Sequence, residues 1–262
     1  MIYGTDYHLH TIYLKCADAT MTVENIYRRA EEVGLTSIGI TDHLNQFQFL
    51  PEHEKIKRDM EALVPPMEVF FGVELNLLNV EGEIPYNAEI RDQMGFEFAI
   101  GGIHSTYLET YDLKRLVEIQ HRHHLRFACD PWIDVVVHPW WFSHGEFQQK
   151  GFPWFDDLAV VPEAFHREFA QAAREHGTAI EINATAIFCN PSYSDRFKAQ
   201  YRDYVRLLME EGVMLSISSD AHTLSQMGLT RVVEDLLEEL GLPDEQVWNP
   251  RRGKTWQSRN GK

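Results

Sequence analysis

Cysteine is scarce in this chain. Cys16, Cys129 and Cys189 are scattered and odd in number over 262 residues, which excludes a disulfide framework and fits a reducing compartment. Long apolar runs are missing as well. No stretch approaches the roughly 20 residues needed to cross a bilayer, so no membrane association is expected. Met1 to Asp6 shows no basic segment followed by an apolar run, hence no secretory signal and an expected cytoplasmic location. Positive charge is also in short supply: 24 Lys and Arg stand against 40 Asp and Glu, a formal net charge of −16. Nucleic-acid binding rests on Lys and Arg neutralising phosphates, so a nucleic-acid partner is not expected. The one basic cluster runs from Arg251 to Lys262. It divides the chain into a body, 1–245, and a basic C-terminal tail, 246–262, expected to be solvated and disordered. Oligomeric state cannot be read.

Low-complexity linkers and internal repeats are absent too, and what recurs is an alternation of extended and helical patterns. Seven β-like runs appear at Tyr3–His8, Ser37–Thr41, Val69–Leu75, Phe98–Ile103, Asp134–Val137, Ala179–Ile182 and Met214–Ser218. Their Val, Ile and Phe content, brevity and flanking Gly or Pro favour strand. Helical patterns fill the gaps: Thr22 to Val33, Glu52 to Leu63, Leu113 to Ala128, Pro162 to Gly177, Phe197 to Glu211 and Thr230 to Leu240. Repeated β-then-α units imply a parallel sheet with right-handed crossovers. An open doubly wound sheet would gather its ligands at one switch point. Here candidate ligands follow nearly every strand, so the expected fold is a single-domain α/β barrel of seven units, distorted and TIM-barrel-like, with its site at the C-terminal strand ends.

Those candidate ligands are His8, His10, Cys16, His43, Glu74, His104, His138, Asp220 and His222. His8 and His10 form an H-x-H pair at the end of the first run, and residues i and i+2 of a strand share a face. Asp220 and His222 repeat that spacing after the last run, and barrel closure makes the two pairs neighbours. Glu74 has two oxygens and so can bridge two cations. Gly101 and Gly102 before His104 allow close backbone approach. Glu181 and Asn183 end the sixth run on one face and are expected to orient ligands from behind.

These blocks, taken in order, resemble the polymerase and histidinol phosphatase (PHP) family of metal-dependent phosphoesterases. The resemblance spans Asp6 to His222: H-x-H-T at His8-Leu9-His10-Thr11, T-D-H at Thr41-Asp42-His43 and G-x-E at Gly72-Val73-Glu74. G-x-x-H follows at Gly101 to His104, H-P at His138-Pro139 and S-D-A-H at Ser219 to His222. It implies a distorted barrel of seven β/α units and a site of two or three divalent ions (zinc, manganese or iron). His8, His10, Glu74 and Asp220 would hold the first ion. Glu74, His104 and His138 would hold the second, and His43 and His222 would help hold a third. The chain departs from the family pattern in the loop after His10, where Cys16 or Asp18 stands near the position that completes the third set. A thiolate there favours zinc.

Clustered divalent ions lower the pKa of bound water from 15.7 towards about 7. The expected reaction is attack of a metal-bound hydroxide on a small phosphomonoester, histidinol phosphate being one candidate, with Asp220 or His222 moving a proton. Lys15 and Arg196 lie in loops of the same barrel face and are candidates to bind the phosphate. C–N or lactone hydrolysis of the amidohydrolase type, exonuclease work and a non-catalytic metal-binding module are the alternatives. Trp140, Trp141 and Phe142 either wall the pocket or pack the loop on the barrel. His121, His123 and His124 are expected on a solvated helix face, and Cys129 and Cys189 as buried thiols.

Overall fold

The computed structural model describes residues 4–260, and each of the seven β-like runs contains a strand. Tyr3, where the first run was expected to begin, lies outside the described residues. The strands are β1 (Thr5–Leu9), β2 (Ser37–Ile40), β3 (His43–Leu44), β4 (Glu68–Asn76), β5 (Phe98–Gly102), β6 (Val135–Val136), β7 (Ala179–Asn183) and β8 (Leu215–Ser218). All pairings are parallel, in the order β1-β2-β4-β5-β6-β7-β8, with the short β3 added on β4. The sheet curls until β1 meets the chain just beyond β8. There His10 N donates to Ala221 O at 3.1 Å and Ala221 N donates to His8 O at 3.3 Å. The fold is thus a nearly closed α/β barrel, a single domain of seven main strands.

The helices follow from local chemistry. Thr22 accepts from Asn25 N and starts α1 (Val23–Glu32), a side-chain cap for an otherwise orphaned N–H. Helices α2 (Leu50–Ala62), α4 (Leu113–Ala128), α6 (Glu163–His176), α7 (Asp195–Glu210) and α8 (Thr230–Leu240) occupy the expected spans within a few residues. Gly177 and Gly241 close α6 and α8 in the left-handed region that glycine favours. Three further helices, α3 (Ala88–Met94), α5 (His144–Lys150) and α9 (Lys254–Asn260), were not expected. Among the described residues no helix is long and apolar enough to cross a membrane.

Two apolar layers hold the barrel. The larger packs strands against helices, with Leu9, Ile38, Ile40, Leu116, Phe169 and Val205 among its members. The smaller contains Tyr7, Phe70, Phe98, Ile100, Val135, Val137, Ala179 and Trp248, with no residue from any helix in its buried set, and so fills the barrel interior. Tyr7 points inward while Leu9, two residues on, lies in the outer layer. A regular strand would place both on one face. The pairing of β1 with β2 shifts register between Asp6 and Leu9, and such an irregularity re-aims side chains.

The solvated tail expected for 246–262 is not what residues 246–260 show. Trp248 is fully buried, set edge-on against Tyr7 at 5.6 Å and beside Phe98 at 5.7 Å. It plugs the bottom of the barrel. Asp134, buried there, accepts from both Ala99 N and Thr255 N at 2.9 Å. The basic residues that suggested a free end find partners on this surface. Lys254 Nζ donates to Asp130 O and Thr178 Oγ1, and the Arg251 guanidinium lies over the Trp256 ring.

Two other expectations are corrected. His121, His123 and His124 are buried, the first and third where α4 packs on α6 and His123 on another side of α4 beside Tyr107. His121 stacks on Phe165, His123 Nε2 lies 2.7 Å from Val80 O, and His124 sits between Trp140 and Phe169. These imidazoles occupy aromatic core positions. Cys129 and Cys189 are not buried thiols: the first is exposed and the second half-buried.

Trp248→Ala should destabilise the fold by about 3–5 kcal/mol, the usual cost of emptying a buried aromatic site, measured by denaturant unfolding. A loss below about 1 kcal/mol would show that the C-terminal segment is not part of the core.

Candidate metal centre

Six of the strand ends at the top of the barrel contribute to one cluster. His8 and His10 come from the end of β1, His43 from β3, Glu74 from β4, His104 and His138 from the turns after β5 and β6, and Asp220 and His222 from the seam after β8. Register sets one contact directly, because His43 pairs with Glu74 across β3 and β4. Glu74 is fully buried at the centre. Its Oε2 lies 3.3 Å from His8 Nε2, 3.5 Å from His10 Nε2 and 2.8 Å from His43 Nδ1. Its Oε1 lies 3.1 Å from His104 Nε2 and 3.3 Å from His138 Nε2. Asp220 Oδ1 stands 3.1 Å from His10 Nε2 and 3.5 Å from His8 Nε2. The two oxygens of Glu74 thus face two different sets of imidazoles.

Local backbone strain shapes the site. His138 and Asp220 adopt positive φ of 34° and 57°, which is costly for residues with a Cβ and persists where the surroundings over-determine it. Gly102 answers a steric demand. A Cβ there would lie 2.6 Å from His104 Cε1, 2.8 Å from Glu74 Oε1 and 2.9 Å from His138 Cε1.

Behind the cluster sits a layer of buried carboxylates. Glu181 Oε1 is 2.8 Å from His8 Nδ1, while its Oε2 accepts from His138 N at 2.7 Å and from Asn183 Nδ2 at 2.9 Å. A carboxylate on one imidazole nitrogen fixes the tautomer and leaves the other nitrogen, here Nε2, free to bind a cation. Asp42 accepts from Thr11 N and Oγ1, and Asp6 from Ser219 N and Oγ. These bonds brace the loops that carry the ligands. Burial pushes both carboxyls up to about 7, against the lowering effect of those hydrogen bonds.

The charge balance in the cluster is tight. Burial alone would raise the Glu74 carboxyl, but the imidazoles of His43, His8 and His104 hold it well below the usual carboxylate range. Burial works against a charged His8, yet Asp220, Glu181 and Glu74 lift its pKa well above 6.5. Burial pushes His10 down to about 3, reinforced by His43 and His222 against the bond to Asp220. Despite these close approaches, His8 Nε2, His43 Nδ1 and Glu74 Oε2 are buried without a well-formed hydrogen bond. Buried polar atoms in native folds are nearly always satisfied. A cation among these atoms would satisfy them together and displace the proton that otherwise favours His8, and nitrogen and carboxylate ligands suit zinc, manganese or iron.

Four sets of three or four donors have ligand atoms within 4.8 Å of one another. They are His8, His10 and Asp220; His8, Glu74 and His138; His43, Glu74 and His104; and His10, Cys16, His43 and His222. Of the two residues noted after His10, Cys16 stands in one of these donor sets and Asp18 in none. The Cys16 Sγ lies 4.0 Å from His10 Nδ1. Both residues are exposed overall, although the Cys16 thiol is turned towards the cluster, and the Asp18 carboxylate accepts from Thr20 N and Oγ1. Burial, with Asp42 and Glu74 nearby, pushes the Cys16 thiol up to about 12. A coordinated cation would be needed to make it a thiolate near neutrality.

A family model for the PHP domain matches residues 6–185, more than half of the chain. The chain belongs to the PHP domain family. Curated relatives of this PHP domain chain include the probable phosphatase YcdX of Escherichia coli (strain K12), 23% identical over 256 residues, which cover 96% of this chain and 92% of that one. Probable phosphatase Ent638_1550 of Enterobacter sp. (strain 638) is 25% identical over the same spans. Among solved structures, an arginine-to-alanine variant of organophosphorus hydrolase from Deinococcus radiodurans aligns over 90% of this chain and 70% of its own. The TM-score is 0.34 at 11% identity, too remote to carry an argument. The family match stops short of Asp220 and His222, which the seam with β1 brings to the PHP cluster.

Above the cluster opens a cavity of about 380 Å³, lined by Cys16, His43, His104, His138, Trp141, Thr185, Ala186, Asn190, Asp220, His222 and Gln226. Several of these were not singled out from sequence. Thr185 and Ala186 lie in a wide helical turn, Ala184–Phe188, directly after β7, and such turns are often found at functional sites. The two candidate phosphate-binding cations are not among the lining residues. Lys15 is exposed beside Cys16, in a left-handed backbone conformation. Arg196 is exposed and paired with Asp157 at 2.6 Å. The three aromatics after His138 part ways: Trp140 and Phe142 pack in the core, and Trp141 walls the cavity.

Gly102→Ala should lower bound metal per chain at least tenfold, by elemental analysis, while far-UV circular dichroism keeps the native signal. Full metal content in that variant would show that the close approach at Gly102 is not needed. Glu181→Gln should weaken metal binding about 10–100-fold, the usual effect of losing a partner behind a ligand. Competition with a chelator reads the change.

Proposed function

We propose that the chain is a metal-dependent phosphoesterase acting on small phosphomonoesters. The observation that carries this reading is Glu74, one buried carboxylate whose two oxygens face separate imidazole sets, the arrangement of a bridging ligand. Membership of the PHP domain family and similarity along nearly the whole chain to relatives called probable phosphatases support it. Histidinol phosphate stays one candidate among such esters.

In this proposal His8, His10, Glu74 and Asp220 hold one ion, and Glu74, His104 and His138 a second. His43, His222 and Cys16 serve a third, with His10 at the edge of that set. When bound, divalent ions would supply Lewis-acid charge for the phosphoryl oxygens and an acidic water near neutral pH. The chain's own groups then divide the remaining work. Glu181 holds His8 in the tautomer that leaves Nε2 free. Asp6 and Asp42 keep the ligand loops in place. Asp220 and His222 both line the cavity, the first engaged by His8 and His10 and the second about a third exposed. With the third set unfilled, His222 is the better placed of the two to carry a proton to the leaving oxygen. Lys15 is assigned to the rim, where it aids capture of the phosphate. Arg196 would have to leave Asp157 to take part, so it is given no role.

Chelator treatment should abolish phosphate release from phenyl phosphate, and adding back zinc or manganese should restore it. Glu74→Gln should lower kcat/KM by about 1,000-fold or more, the scale of losing several kcal/mol of metal-supplied stabilisation. Fewer than one tightly bound metal per chain, with no metal-restored activity, would falsify the proposal.

A further inference from the structure

The cavity above the ligand cluster has walls of one character. Beyond the ligands themselves it is lined by Trp141, Thr185, Ala186, Asn190 and Gln226, and no described lining residue is Lys or Arg. Most of its neutral polar groups are already engaged. Thr185 Oγ1 donates to Ser219 O. Asn190 Oδ1 accepts from Ser192 N at 2.9 Å while its Nδ2 donates to Ala186 O at 3.0 Å. Gln226 Oε1 accepts from His222 N at 2.8 Å and Thr223 N at 3.0 Å. An anionic substituent held inside the cavity would meet no Lys or Arg of the wall, Lys15 standing outside the lining, and would lie near the Asp220 carboxylate.

Trp141 offers the opposite. The turn after His138 is pinned by Trp141 N donating to His138 O at 3.0 Å, and Trp140 takes a positive φ of 63°. That twist sends the two indoles apart. Trp140 is buried against His124 at 4.7 Å and His166 at 5.5 Å. Trp141 meets His138 at 5.1 Å and His104 at 5.9 Å, both at steep angles. An indole held edge-to-face by two imidazoles of the cluster has a fixed position beside the reacting group. Small-molecule sites range from about 300 to 1,000 Å³, so a cavity near the low end admits one compact leaving group.

We propose that Trp141 selects phosphomonoesters whose leaving group is planar and carries no second anion, an aryl phosphate being the simplest example. This rests on the phosphoesterase reading of the same site. Aromatic stacking accounts for the preference for a planar group, and the lack of a wall cation for discrimination against doubly anionic substrates such as phosphorylated carboxylic acids. Trp141 is a specificity residue and takes no part in bond making.

Binding separates this inference from the chemistry. Calorimetric titration of the metal-loaded full chain with phenylphosphonate, methylphosphonate and phosphonoacetate, none of them an ester, reads affinity without turnover. Phenylphosphonate should bind roughly tenfold more tightly than methylphosphonate, the scale of one good aromatic contact, and phosphonoacetate no more tightly than methylphosphonate. Trp141→Ala should bring the phenylphosphonate affinity down to that of methylphosphonate, and Trp141→Phe should keep most of the preference. A preference that survives Trp141→Ala, or tightest binding of phosphonoacetate, overturns the inference. Phosphate release from phenyl phosphate by the wild-type chain is measured alongside. No turnover with the Trp141-dependent preference intact sinks the phosphoesterase reading alone. Turnover with no Trp141 dependence sinks this inference alone, and failure of all three phosphonates to bind overturns both.

Discussion

A single buried carboxylate shared among five imidazoles sets the terms for the top of this barrel. Glu74 has no exposed surface, and each of its oxygens faces a different group of ring nitrogens. Burying a carboxylate is costly unless charge or hydrogen bonds compensate, and here the compensation converges from four strand ends. The nearby geometry follows from that convergence. Gly102 is glycine because no Cβ fits between His104, Glu74 and His138. His138 and Asp220 hold strained backbone angles because their neighbours leave no alternative.

The barrel meets two opposite demands at its ends. At the top the closing seam is made by the ligand segments themselves, since the backbone bonds between His8, His10 and Ala221 join the first strand to the chain beyond the last. Closing the sheet and assembling the site are thus one event. At the bottom, Trp248 and the segment after it seal the aromatic interior and satisfy Asp134. Polar groups gather at the end that carries the His, Asp and Glu cluster, and apolar bulk fills the opposite end.

Much of this was legible along the chain. Strand and helix spans came from period and caps, which are local properties, and they hold to within a few residues. The gathering of His8, His10, Cys16, His43, Glu74, His104, His138, Asp220 and His222 into one cluster was legible because they follow strand ends one after another. What was missed shares one cause: it depends on neighbours distant in sequence. Residues 88–94 and 144–150 are short helices with little periodicity to read. His121, His123 and His124 looked like a polar face, but Phe165, Phe169, Trp140, Tyr107 and Val80 come from other segments to cover them. The basic end looked free because its acceptors, Asp130, Asp134 and Thr178, lie more than 70 residues earlier.

The order and chemical identity of the clustered residues, the β/α alternation and hence the barrel were determined by the sequence itself, because each arises from residues a few positions apart. Only the tertiary structure decided how these side chains share partners. It set Glu74 between two imidazole groups and brought Cys16 rather than Asp18 near His10, His43 and His222. It committed Arg196 to Asp157, and it turned Trp140 into the core while Trp141 faced the cavity. Each outcome is a competition in space for a partner or a volume, and such competition exists only once distant segments have met.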